Sequence, residues 1–82
     1  MSIDREWHEP VYVQMAGILR GQISSGELAP GRPVPSLRTL VETYGVNRGT
    51  AAKAIRVLAD EGLVTVVKGR GWFVTPEDQR PA

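Results

Sequence analysis

Eighty-two residues carrying ten basic and nine acidic side chains, for a net charge of +1, describe one small domain with a single core and no room for a second. The chain has no cysteine, so disulfides and thiolate metal sites are excluded, and its one histidine, His8, stands near the start with no second histidine to join it. The longest apolar run, residues 63–67, is too short to cross a bilayer and residues 1–10 hold no apolar signal core, so a soluble, cytoplasmic protein with no membrane partner is expected.

Residues 1–9 are polar and without apolar period, which predicts an N-terminal tail, with Trp7 able to dock onto the domain. Pro10 suits a helix start. Val11, Met15, Leu19 and Ile23 then repeat every four residues, with Tyr12 and Ala16 on the same face, and Gly26 supplies the stop. Residues 28–35 contain three prolines and a glycine, a composition that blocks helix and forbids a central strand, so they predict a stiff connector. The hydroxyl of Ser36 is placed to cap a second helix with a buried edge of Leu37, Leu40, Val41 and Tyr44, and Arg38 points away from that edge.

Gly45 ends this helix, Val46 is a buried pivot, and Asn47 caps a third helix, so two helices meet across a short glycine turn. That arrangement is a helix-turn-helix. On the third helix Ala51, Ala54, Ile55 and Leu58 follow the core-facing spacing, and Gly49, Ala52, Lys53 and Arg56 fall opposite. The helix ends near Glu61-Gly62. Residues 63–67 are rich in branched side chains that favour a strand, Lys68-Gly69-Arg70-Gly71 turns the chain, and residues 72–75 return as the partner strand. The expected fold is therefore α+β: a winged helix-turn-helix over residues 10–75, with a three-helix core followed by a two-stranded β-hairpin wing. Residues 76–82 have no apolar pattern and read as a tail or the start of a linker.

The outer face of the third helix suits a nucleic-acid groove. Gly49 and Ala52 have almost no side chain, so the helix axis can approach a groove floor, while Lys53 and Arg56 reach phosphates or base edges. Taken alone, the same pattern equally describes a solvated helix face. Asn47 and Thr50 are explained as members of the first-turn cap, yet a helix start also offers free amides to a phosphate. Arg48 has no capping duty and is the best single candidate for a direct contact. Lys68 and Arg70 at a glycine-containing hairpin tip serve solubility in a plain turn, or lie along phosphates or in a minor groove. Charge is distributed accordingly. Residues 32–72 hold seven basic and three acidic side chains, a net +4, whereas residues 1–31 carry −2 and residues 73–82 carry −1.

No set of acids, bases and nucleophiles converges. A helix cap explains Ser36, which has no partner histidine, and residues 68–71 lack the Gly-Lys-Ser/Thr ending of a phosphate loop. Neither catalysis, nor a metal, nor a cofactor is expected.

Six blocks in order carry a resemblance to a known family: Pro10-Val11-Tyr12-Val13-Gln14, Gly26-Glu27-Leu28 with Pro30-Gly31, Pro35-Ser36-Leu37-Arg38, Gly45-Val46-Asn47-Arg48, Glu61-Gly62-Leu63-Val64, and Gly69-Arg70-Gly71 followed by Phe73-Val74. Together they resemble the N-terminal winged helix of the GntR-type bacterial transcription regulators. The resemblance implies operator binding by a dimer, with the third helix in the major groove and the wing near the minor groove. It carries contact roles to Arg38, Asn47, Arg48, Gly49, Thr50 and Gly69. Many members have an arginine and an acidic residue where this chain has Ala52-Lys53, and a larger aliphatic residue in place of Ala51. Ala52 cannot donate that hydrogen bond, which leaves Lys53 to compensate, and Ala-Lys-Ala here is more like the short, YtrA-like branch. Typical members continue into a larger ligand-binding domain, so a small-molecule effector is expected only if a longer chain carries one.

These readings predict a sequence-specific, double-stranded DNA-binding regulator, a repressor that occupies a palindromic operator as a homodimer, at least on DNA. The candidate contacts are Arg38, Asn47, Arg48, Gly49, Thr50, Lys53, Arg56, Lys68, Gly69 and Arg70. The alternatives are a winged helix used as a protein-interaction module through Trp7, Trp72 and the hairpin, marked by salt-insensitive binding, and loose binding to any nucleic acid.

Overall fold

A computed structural model describes residues 3–6 and 8–81. Helix α1, Val11–Ser25, starts at Pro10, whose fixed φ of −55° suits the entry and whose carbonyl accepts from the Val13 and Gln14 amides at 3.0 and 3.2 Å. The four-residue repeat buries Met15, Leu19 and Ile23, joined by Ala16 and Ile18, and Gly26 ends the helix in the left-handed conformation at φ 87°. Helix α2, Leu37–Tyr44, is capped by Ser36, whose Oγ accepts from the Thr39 amide at 3.1 Å. Gly45 at φ 65° closes it, Val46 is buried in the pivot, and Asn47 caps α3, Arg48–Asp60, by accepting the Thr50 amide at 2.8 Å on Oδ1.

Helix α3 turns Ala51, Ala54, Ile55 and Leu58 inward against α1 and α2. With Met15, Leu19, Ile23, Leu40, Val46, Val64 and Val74 these side chains form one apolar core. Strands β1, Val64–Val67, and β2, Gly71–Val74, pair antiparallel with Val64 opposite Val74 and Val67 opposite Gly71. The fold is thus three helices followed by a two-stranded antiparallel hairpin.

Three segments do more than their composition implies. The proline-rich connector lies along the free edge of β2: the Val34 amide donates to the Trp72 carbonyl at 2.9 Å, the Val74 amide donates to the Arg32 carbonyl at 2.8 Å, and Pro33 bridges Phe73. Proline is tolerated at such an edge because its missing N–H is not required there. Residues 3–6, read from sequence as part of a tail, rest on the helices. The Gln14 side-chain amide bonds the Asp4 amide and carbonyl at 2.8 and 2.7 Å, and Arg5 Nη2 donates to the Gly45 carbonyl at 2.7 Å. Trp7, given a docking role in the sequence reading, lies outside the described residues. After β2 a short 3-10 turn, Glu77–Gln79, folds back so that Arg80 Nε donates to the Thr75 carbonyl at 2.8 Å. Among the described residues no helix is long and apolar enough to cross a membrane.

Candidate nucleic-acid interface

The core-facing stripe of α3 leaves Arg48, Gly49, Lys53 and Arg56 exposed on the other side, with Thr50 and Ala52 half-buried between them. Among the described residues the side-chain ion pairs are Arg20 with Glu61 and Arg38 with Glu42. Arg48, Lys53, Arg56, Lys68 and Arg70 enter neither, so among the described residues the basic side chains of α3 and the wing make no ion pair. Lys53 does have a neighbour. Its Nζ lies 5.5 Å from the centroid of the Tyr12 ring on α1, within the range of a cation–π contact.

Arg38 projects from the first turn of α2 with its Nε 3.1 Å from Glu42, one helical turn on. Its side chain is 87% exposed, so the pair is worth little and exchanges readily for an external anion. Ser36 and Asn47 satisfy only the amides of Thr39 and Thr50. A helix start leaves its other first-turn amides without an intrahelical partner and carries the positive end of its dipole.

Gly49 has a local task that composition does not disclose. A Cβ at this position would stand 3.3 Å from Asn47 Oδ1, so its small size protects the cap of α3. In the wing, the Arg70 amide donates to the Val67 carbonyl at 2.9 Å, and Gly69 takes φ 81° at the turn position where a positive φ is required. Lys68 and Arg70 flank this glycine, exposed. A groove of about 240 Å³ lies between the hairpin, the connector and the helices, lined by Pro35, Ser36, Leu37, Ile55, Arg70 and Trp72 among others. The wing arginine, the start of α2 and Ile55 of α3 all line this one depression.

The family model for bacterial regulatory proteins of the gntR family matches residues 11–74, from the first residue of α1 to the last of β2. The chain belongs to that family. Among gntR-family relatives, the transcriptional repressor NagR of Bacillus subtilis is 41% identical over 75 residues, covering 92% of this chain and 31% of NagR. The mannosyl-D-glycerate transport/metabolism system repressor MngR of Escherichia coli is 37% identical over 70 residues, 85% of this chain and 29% of MngR. The chain thus spans about three-tenths of the length of these regulators. In three dimensions it is similar to YtrA from Sulfolobus acidocaldarius, a GntR-family transcription factor, with a TM-score of 0.84 and 42% identity over 94% of this chain and 66% of that one. It is also similar to AraR(DBD) solved in complex with operator ORE1, with a TM-score of 0.79 and 33% identity over 89% of each chain.

Sequence reasoning missed Arg5 and Tyr12. Arg5 sits in a segment of acidic balance, yet its guanidinium reaches the Gly45 carbonyl at the α2–α3 turn, where a cation suits the C-terminal end of a helix. The apolar period of α1 places Tyr12 on its core-facing side and says nothing of Lys53. Neither contact leaves a local signal, because the partners are 40 and 41 positions away along the chain.

Proposed function

We propose that this gntR-family domain binds double-stranded DNA sequence-specifically and represses transcription, with α3 in the major groove, the wing beside the minor groove, and two copies occupying a palindromic operator. The observation that carries this is the outward face of α3, where Arg48, Lys53 and Arg56 stand among small residues and make no ion pair among the described residues. Arg48 supplies the direct base or phosphate contact. Asn47, Gly49 and Thr50 bring the start of α3 to the backbone, Arg38 holds a phosphate from α2, and Lys68, Gly69 and Arg70 follow the strand alongside. The likeness to AraR(DBD), solved with its operator, supports the same mode here.

Selection of bound duplexes from a random pool, followed by footprinting, tests the reading. The expected product is a two-fold symmetric site with half-sites about one helical turn apart, or a small multiple of that. Recovery of no consensus sinks sequence specificity, and a single isolated half-site removes the dimer. The protein-interaction reading has Val66 and Val67 in its favour, exposed by 58% and 38% on β1. Salt separates the two: phosphate binding weakens steeply as ionic strength rises, whereas an apolar docking surface does not.

A further inference from the structure

A lysine on a helix surface is a compact charge on a flexible stem, and it loses rotamer freedom when a ligand orders it. Lys53 is not in that free condition, because its ammonium sits over the face of Tyr12. Tyr12 is half-buried in the first turn of α1, whose neighbours Met15 and Ala16 are in the core, so the ring stands on a helix turn anchored by packing. No carboxylate among the described residues competes for the ammonium. Since α1 packs against α3, the ring draws the charge toward the α1 side of the outward face of α3.

Resting on the proposed entry of α3 into the major groove, we infer that Tyr12 is a positioning residue that presets Lys53 for a backbone phosphate at the groove edge. Lys53 then contributes affinity and not base choice. It does not replace a base-reading arginine at the position of Ala52. The three N–H groups of the ammonium remain free to donate to phosphate oxygens while the ring engages its other side.

The test measures operator affinity across a salt series for the wild type, Tyr12→Phe, Tyr12→Leu, Lys53→Ala and the Tyr12→Leu/Lys53→Ala pair, on the selected site and its single-base variants. Lys53→Ala is expected to weaken all variants alike and to lower the salt slope by about 0.9. Tyr12→Leu should weaken binding about two- to fivefold, the cost of ordering a lysine side chain that the ring otherwise presets, and Tyr12→Phe should not. In the Lys53→Ala background Tyr12→Leu should add nothing.

A loss that persists undiminished in that background shows Tyr12 acting through packing and overturns the inference. A loss in Tyr12→Phe equal to that in Tyr12→Leu shows its hydroxyl meeting DNA and does the same, as does a Lys53→Ala effect confined to one base pair. Independently of any DNA, the Lys53 ε-methylene protons of the free domain should be shifted upfield by the ring current in the wild type. Their absence from that position overturns the platform even if Tyr12→Leu fails to fold. A wild-type domain that selects no duplex overturns the proposed function, and this inference with it.

Discussion

Arg48 and Gly49 are adjacent at the start of α3, but they answer differently to substitution. Arg48 is exposed and has no part in the cap, which Asn47 makes through Oδ1. Nothing that folding depends on is lost when its side chain is removed. Arg48→Ala should therefore cost about 1–3 kcal/mol of operator affinity, the worth of a good bidentate contact, and leave the thermal midpoint unchanged. A gel-shift titration beside a melt checks both halves, and unchanged affinity would remove Arg48 from the interface. Gly49 is not so clean a probe. Alanine is a better helix former by up to about 1 kcal/mol, but its Cβ would crowd an Asn47 cap of similar worth. Any change in binding at Gly49 mixes close approach to DNA with the integrity of the helix start.

Between elements, the decisive contacts join residues far apart in sequence. Arg20 of α1 meets Glu61 at the end of α3 in a two-bonded pair, with Nε 2.7 Å from Oε1. This hydrogen bonding holds the Glu61 carboxyl below its ordinary range and raises Arg20 further above its own. With its folded value depressed, Glu61 contributes stability that is fully present above the ordinary carboxylate range and is lost as pH falls through the lower, folded value. The Arg20 half of the linkage is lost only at strongly alkaline pH, as its raised value is passed. Both side chains are about two-fifths exposed, so solvent limits the pair to about 0.2–1 kcal/mol. Unfolding free energies from urea titrations of the wild type and Glu61→Gln should differ by that amount at neutral pH and converge in acid. A gap that survives in acid would assign the stabilisation to packing instead.

The next residue locks the same corner. Gly62 has φ 78°, and a Cβ on it would lie 2.5 Å from Pro81 Cδ, part of a rigid ring attached to the backbone. Gly62→Ala should cost about 1–3 kcal/mol for the left-handed conformation and should also displace the segment that Arg80 ties to Thr75. Amide exchange at Gln79 and Arg80 should then accelerate, and removing residues 80–82 should relieve only the displacement. Equal melting losses with and without those residues, and no change in exchange, would show that Pro81 yields freely. These contacts mark the limit of what the sequence discloses. Caps at Ser36 and Asn47, stops at Gly26 and Gly45, and the inward stripe of α3 depend on neighbours within about four residues, so pattern alone locates them. The Arg20–Glu61 pair, the docking of residues 3–6, the connector on β2 and the Tyr12 platform depend on which surfaces meet after the core has closed. Arg48, Lys53 and Arg56 were legible as a face; that Lys53 leans on α1 was not.

On the scale of the whole molecule, a net charge of +1 conceals a separation. The segment from Arg32 to Trp72 carries +4, and the flanks carry −2 and −1. The ion pair between α1 and the end of α3 uses Arg20 from the acidic part against Glu61, removing one acid from the basic part, and Arg48, Lys53, Arg56, Lys68 and Arg70 are left without an ion pair among the described residues. Arg70 lines the same groove as the start of α2 and adds a basic side chain from the wing. A side chain exposed on a turn with a glycine on either side is suited to following a phosphate backbone and poorly suited to the fixed geometry that base discrimination needs. Arg70→Ala should therefore weaken binding to operator and unrelated duplex by similar factors. It should also reduce the slope of log affinity against log salt by about 0.9, the release of one phosphate's counterion. Affinities measured between about 50 and 200 mM salt resolve that change. If Arg70→Ala instead altered preference at one base pair with the slope intact, the wing would have to be placed in the groove as a reader of sequence rather than along its edge.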